Sequence, residues 1–231
     1  MALSSETRRL GAITILCSAL AFGMTQVHPA KEPQQVTKDG LELVKRTKQR
    51  LVYVRPGATF TQYNRVTILE CYVEFSKRWL RDYNNSVDMH RKISEKDLER
   101  ARTELSAQFK KIFTKELASG GYQISDAPAP DVLTVRPALV NIAVSAPDLM
   151  TPGRSVVYAQ SAGQMTLFLE LWDSAEEKIL ARVMDAQADP TLYGQRMSSV
   201  TNRAAADRIM STWAEELRRK LDLARGKSTA D

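Results

Sequence analysis

Gln164-Met165-Thr166-Leu167-Phe168-Leu169-Glu170-Leu171-Trp172-Asp173 is the stretch that decides how this chain folds. Met165, Leu167, Leu169 and Leu171 alternate with Gln164, Thr166, Glu170 and Trp172, the two-residue period of a strand that lays one face on a core. Ser174-Ala175-Glu176-Glu177 then reads as a tight reversal, and Lys178 to Ala188 as a second, more mixed strand. The two should pair as an antiparallel hairpin. Asp173 opens the turn, where its carboxylate can bond the backbone just ahead of it. The loop length leaves the register open.

Upstream, Val132 to Val144 is rich in Val, Leu and Ile and reads as a strand. Pro137 lacks a ladder N–H, so the strand is expected at an edge or a bulge. Val66 to Phe75 also alternates, with Thr67, Leu69, Cys71, Val73 and Phe75 on the face expected to meet the core. Cys71 is therefore read as a small buried hydrophobe. Leu51-Val52-Tyr53-Val54 is a short strand closed by Arg55-Pro56-Gly57. Lys77 to Met89 reads as a polar connection. Residues 145–163 form a long connection with Pro147, Pro152, Gly153 and Gly163, and such loops often carry function.

Two helices complete the pattern. Ser94 and Asp97 have capping-box spacing, Leu98, Ala101, Leu105, Phe109, Ile112 and Leu117 recur at helical intervals, and Gly120-Gly121 ends the run. A second helix from about Thr201 to Arg225 has a stripe of Ala205, Ile209, Trp213, Leu217, Leu221 and Ala224, with Gly226 as its cap. The expected fold is a single α/β (α+β) domain. A largely antiparallel sheet of four or five strands is packed with two long amphipathic helices.

The N-terminus carries a different message. Arg8 and Arg9 precede an apolar stretch from Leu10 to about Met24, small residues close or follow it (Ala19, Ala21, Gly23, Ala30), and the sequence becomes polar at Lys31-Glu32-Pro33. That is the layout of a secretory signal, and the apolar core is short for a membrane span, which needs about 20 residues. Ala19-x-Ala21 and Ala21-x-Gly23 satisfy the small-residue rule for cleavage, whereas cleavage after Ala30 would place His28 where a small side chain is preferred. The expected layout is a signal at 1–30, a polar basic linker at 31–50, the α/β domain at 51–226 and a polar tail at 227–231. Cys17 lies within the signal, and Leu16 occupies the place where lipidation wants a small residue, which argues against acylation there.

Composition and motifs narrow the chemistry. Hydrophobic residues make up 43% and charged residues 26%, a globular balance, and the formal net charge is +6. The excess is mixed along the chain, which speaks against nucleic acid and leaves room for peripheral attraction to anionic headgroups or cell-wall polymers. There are two cysteines and two histidines. No metal-ligand spacing, phosphate loop or nucleophile elbow is present, so neither metal nor cofactor is expected. His90 lacks an orienting partner in the sequence, and no catalytic residue is assigned. A hydrolase working through strand-end acids would have to bring together two of Asp131, Asp173, Asp185 and Asp189. The leading expectation is a non-enzymatic envelope module that binds a protein or cell-wall component, with Arg154 and Tyr158 of the 145–163 loop as candidate contacts.

Ordered short motifs give a resemblance. Tyr53-Val54-Arg55-Pro56-Gly57 with Gln62-Tyr63, Val66-Thr67-Ile68-Leu69 leading to Trp79-Leu80-Arg81-Asp82-Tyr83, Arg136-Pro137-Ala138-Leu139-Val140-Asn141-Ile142, Ala159-Gln160-Ser161-Ala162-Gly163, and Glu170-Leu171-Trp172-Asp173-Ser174 followed by Ile179-Leu180-Ala181-Arg182 span roughly residues 40–225. In this order they resemble a family of Gram-negative envelope proteins, domain of unknown function 3313, many of which look like lipoproteins. The resemblance implies a single α/β domain in the periplasm or at the outer membrane, and no activity. Two departures stand out: Ala175-Glu176-Glu177 replaces a Thr-Gly type turn, and Cys17 does not match the family's lipidated cysteine.

Overall fold

The hairpin expected around residue 175 lies at the middle of the sheet. The computed structural model describes residues 33–144, 157–158, 161–190, 196–197 and 199–227. In order, the elements are β1 (Glu42–Arg46), β2 (Arg50–Val54), β3 (Arg65–Ile68), β4 (Tyr72–Phe75), α1 (Lys77–Ser86), a 3-10 turn (Met89–Arg91), α2 (Glu95–Ser119), β5 (Gln123–Ile124), β6 (Val132–Val144), β7 (Val157–Tyr158), β8 (Ser161–Asp173), β9 (Lys178–Pro190), β10 (Arg196–Met197) and α3 (Ser199–Ala224). The main sheet has eight strands in the order β1-β2-β9-β8-β6-β3-β5, with β4 also beside β6, while β7 and β10 form a separate ribbon. The pairings of β3 with β5 and of β6 with β3 and β4 are parallel; the other pairings are antiparallel. The sheet is thus mixed and wider than the four or five strands expected.

The extra width has local causes. The segment expected as a linker ends in the edge strand β1, and Leu41 just before it is fully buried. Lys45 and Arg46 are edge-strand side chains, a common protection for an exposed sheet margin. Val66 to Phe75 forms two strands instead of one. From the pair Ile68↔Val135 to the pair Tyr72↔Ala138, this segment advances four residues while β6 advances three. The extra residue exchanges the faces. Val66 and Ile68 are buried before it, and Cys71, Val73 and Phe75 after it. Leu69, expected to share the face of Cys71, is only half-buried.

The same break explains Pro137, which sits in an interior strand and not at an edge. The carbonyl of Val135 accepts from the Leu69 N–H. Polar groups two residues apart point the same way along a strand, so the nitrogen of Pro137 faces that side too. There β6 passes from β3 to β4, and no ladder partner awaits a hydrogen. Asn141 (φ 54°) marks a separate bulge, this one in β6, where the register against β8 shifts.

Residues 77–89, expected as a connection, contain helix α1. The Ser76 hydroxyl accepts from the Trp79 N–H at 3.3 Å, and Trp79 stacks between Phe75 and Tyr83 with ring centroids 5.9 and 6.1 Å away. No residue of α1 is fully buried, which is why its sequence reads as polar. Helix α2 carries the capping box foreseen at Ser94 and Asp97, and Gly121 (φ 82°) follows its end.

The core lies between the inner face of the sheet and helices α2 and α3. Leu133, Val135, Leu139, Leu167, Leu169 and Leu171 from the sheet join Phe109, Phe113, Leu117, Ile209, Met210 and Trp213 from the helices. Phe109 and Phe113 are fully buried and stack at 3.9 Å. Cys71 is buried as expected, and burial pushes its thiol up to about 12. Truncating Phe113 to Ala should cost about 3–5 kcal/mol through lost burial and a residual cavity, measurable by urea unfolding followed by circular dichroism.

Candidate functional site

Three sheet rungs and one helix face build a cavity. Strands β2, β9 and β8 are in register such that Arg50, Asp185 and Leu167 form one rung, Val52, Val183 and Leu169 the next, and Val54, Ala181 and Leu171 the third. All nine side chains lie on the helix side of the sheet. Opposite them, Trp213, Glu216, Leu217, Lys220 and Leu221 project from α3 at the spacing of one helical face. Helix α3 packs on β8 and β9, whereas the sheet continues outward into β2 and β1. With only Val and Ala at the second and third rungs of β2 and β9, a space of about 450 Å³ remains beneath the helix. That size lies within the ~300–1,000 Å³ range of small-molecule sites.

One end of this space is polar. The Arg50 guanidinium donates to Asp185 at 2.6 Å and also bonds Glu216. The Trp213 indole N–H and the Gln187 amide donate to the same Asp185 oxygen at 2.7 and 3.0 Å. Only 4% of the Asp185 side chain is exposed, so its charge depends on these donors. The bond to Asp185, and then that to Glu216, raise the Arg50 pKa against the opposing effect of burial, and the group stays cationic. Beyond this network lies a second hollow of about 350 Å³, lined by Lys45, Thr47, Gln49, Arg50, Asp185 and β9 residues 186–188.

The residues singled out in the sequence are scattered. Arg154, Cys17 and the whole 1–30 segment lie outside the described residues. Tyr158 is in β7, paired with Arg196 of β10. Asp131 pairs with Arg65, whose hydrogen bonds and charge hold its carboxyl below the usual range. Asp173 accepts from the Ala175 and Glu176 N–H groups, as the turn reading required, and from the Tyr63 hydroxyl at 2.6 Å. Asp131 and Asp173 share one end of the sheet, and neither lines the cavity or the hollow. Asp185 pairs across from Leu167, six residues along β8 from Asp173, or about 20 Å at strand rise. Asp189 lies in β9, and its side chain is outside the described residues. His90 is exposed on the 3-10 turn, and among the described residues no group of His, Cys, Asp and Glu could hold a metal ion.

Sequence reading missed Arg50, Trp213, Glu216 and Lys220 as a site. Arg50 was counted into a basic linker and Trp213 into a core stripe. The contrast of Val52, Val54, Ala181 and Val183 with the leucines of β8 is the available signal, and it acquires meaning only once β2 is known to lie beside β9.

The architecture is that of a mixed sheet with its helices on one face and an apolar site beneath the last helix. The chain belongs to the family described as protein of unknown function (DUF3313), whose model matches residues 32–217. No curated protein matches the sequence. Among solved structures, a Xanthomonas campestris protein of the DUF330 family is similar at 8% identity and TM-score 0.40, over 74% of this chain and 90% of that one. The PelC dodecamer of Paraburkholderia phytofirmans is similar at 9% identity and TM-score 0.37, over 71% and 96%. A minor lipoprotein of Acinetobacter baumannii gives 9% and 0.32, over 71% and 95%. These are loose likenesses in shape.

Two measurements test the electrostatics. Arg50→Met should destabilise the fold by roughly 3 kcal/mol, because it strands a buried carboxylate, and combining it with Asp185→Leu should recover more than half of that loss in urea unfolding. The second concerns Asp173. Burial pushes its carboxyl up, but the Tyr63 hydroxyl and the two turn amides outweigh that and hold it below the ordinary 3.8. A depressed folded pKa means that Asp173 supports the fold above that ordinary value and loses this support as pH falls through the folded value. Tyr63→Phe should therefore flatten the fall in stability below about pH 4, read by unfolding at several pH values.

Proposed function

We propose that this chain is a non-enzymatic binding module of the bacterial cell envelope, with the cavity beneath α3 as its binding site. The observation that carries the reading is the cavity's chemistry: aliphatic walls from three strands, ended by a charged network whose groups already bond one another. Such a site holds a ligand by burial and orients it by a few polar groups. Asp185, which was expected at a strand end but lies within β9, is bonded to Arg50, Trp213 and Gln187, and Asp131 and Asp173 are bonded elsewhere. That supports binding over hydrolysis.

Export is the second part of the proposal. The basic n-region, apolar stretch and small residues of the first thirty positions support an envelope location, with the mature chain in the periplasm or attached peripherally at the outer membrane. Among the described residues no helix is long and apolar enough to cross a membrane. The partner is then an envelope protein or another envelope component that reaches the open side of the cavity.

Photo-cross-linking in cells tests both parts. A photoreactive residue at Val44 or Lys220, both exposed at the cavity's edge, should give adducts in the envelope fraction on a chain shortened at its N-terminus. The same group at Met89, 84% exposed on the 3-10 turn, should not. Equal adducts at all three positions, no adducts at any, or an intact chain in the cytoplasm would overturn the proposal.

A further inference from the structure

We infer that the occupant of the cavity is a single-chain anionic amphiphile, a fatty acid, with its hydrocarbon chain under α3 and its carboxylate where the cavity meets the polar hollow at Lys45, with Lys220 on the cavity's rim. This rests on the binding reading above and names the ligand class for that site.

The site has two parts. The apolar cavity and the polar hollow have Lys45, Arg50 and Asp185 in common, so they are adjoining compartments. An occupant that fills both must be apolar at one end and polar at the other. A wholly apolar ligand would leave the hollow to water, and a sugar or a peptide rich in polar groups would strand hydrogen-bonding groups against Val52, Val183 and Leu169.

The charges around the cavity favour an anion. Arg50 is committed to Asp185 and Glu216. Lys45 and Lys220 have no hydrogen bond or ion pair among the described residues, although Glu216 stands one turn before Lys220 on α3. Two uncommitted ammonium groups therefore border an apolar cavity, which is the complement of an anion carried on a hydrocarbon chain.

A backbone irregularity places Lys45. Strands β1 and β2 pair as Leu43↔Tyr53, then as Lys45↔Val52, so Val44 is an inserted residue. A regular ladder would set Val44 against Val52 and Lys45 against Leu51, on the opposite face of the sheet. The bulge brings Lys45 to the face of Val52, which lines the cavity. Bulges that re-aim one side chain are a recurrent feature beside binding sites.

Titration of the full-length chain with straight-chain carboxylates, followed by calorimetry, tests the inference. Affinity should rise up to about fourfold per methylene and level off once the chain fills the cavity. Dodecanoate should bind about tenfold more tightly than dodecanol, the margin given by pairing the headgroup with the lysines. K45M/K220M should abolish that margin while leaving dodecanol binding unchanged. Val183→Phe, which fills the cavity from the middle rung, should weaken both ligands at least about tenfold with the circular dichroism spectrum retained. Inorganic phosphate should not compete.

Dodecanoate binding that survives both variants would place the ligand elsewhere, such as on the apolar N-terminal segment, and would overturn the inference. So would a carboxylate margin that persists in K45M/K220M. Cross-links at Val44 and Lys220 to an envelope protein, with no amphiphile bound, would overturn the ligand class and leave the binding module standing. Failure of both experiments would remove the site altogether.

Discussion

A single buried carboxylate joins the parts of this fold that chain connectivity leaves apart. Asp185 belongs to β9, yet it receives Arg50 from β2 and the indole of Trp213 from α3, and Arg50 reaches on to Glu216 of the same helix. A charge removed from water needs donors on every side, so these three elements have little freedom to slide. The position of α3 over the sheet follows. So does the space beneath it, because the helix is tethered at the rung of Arg50 while β2 and β9 offer only Val52, Val54, Ala181 and Val183 on the next two rungs.

The outward face of the sheet uses charge differently. Glu170 and Arg182 pair across β8 and β9, and Arg182 also holds Asp39 at 2.7 Å, closing the segment before β1 onto the sheet. Arg182 lies over the Phe168 ring, and Arg136 over that of Trp172 at 4.8 Å. Guanidinium planes on aromatic faces shield apolar surface while keeping their charge in contact with water. The inner face thus buries aliphatic side chains, and the outer one covers its aromatic rings with arginine.

What could be read from the sequence was whatever depends on neighbours in the chain. The alternation of Met165 to Leu171, the turn at Asp173, the capping box at Ser94 and Asp97, and the glycine after α2 are decided within a few residues. Features that depend on distant partners were misread. Pro137 pointed to an edge or a bulge, and the choice between them needed the break between β3 and β4, which nothing local reveals. The basic run before Leu51 pointed to a linker because nothing local reveals that β2 lies beside β9. The cavity was hidden for the same reason, since its walls come from Val52, Val183, Leu169 and Leu217 on four separate elements. The ordered motifs from Tyr53 to Arg182 did identify the family, and a family of unknown function carries no site with it.

The irregularity at Val44 has one more effect. A regular outer strand offers a straight row of amide and carbonyl groups onto which another extended chain can add, and growth by such addition is how sheet proteins turn into fibrils. In β1 the spacing of that row is broken after Leu43, and Lys45 and Arg46 place two like charges along it. An incoming strand would meet mismatched partners and repulsion within a few residues. The β1 margin of the eight-stranded sheet is therefore a stopping point, and the molecule resists propagating its own architecture into a polymer from that side.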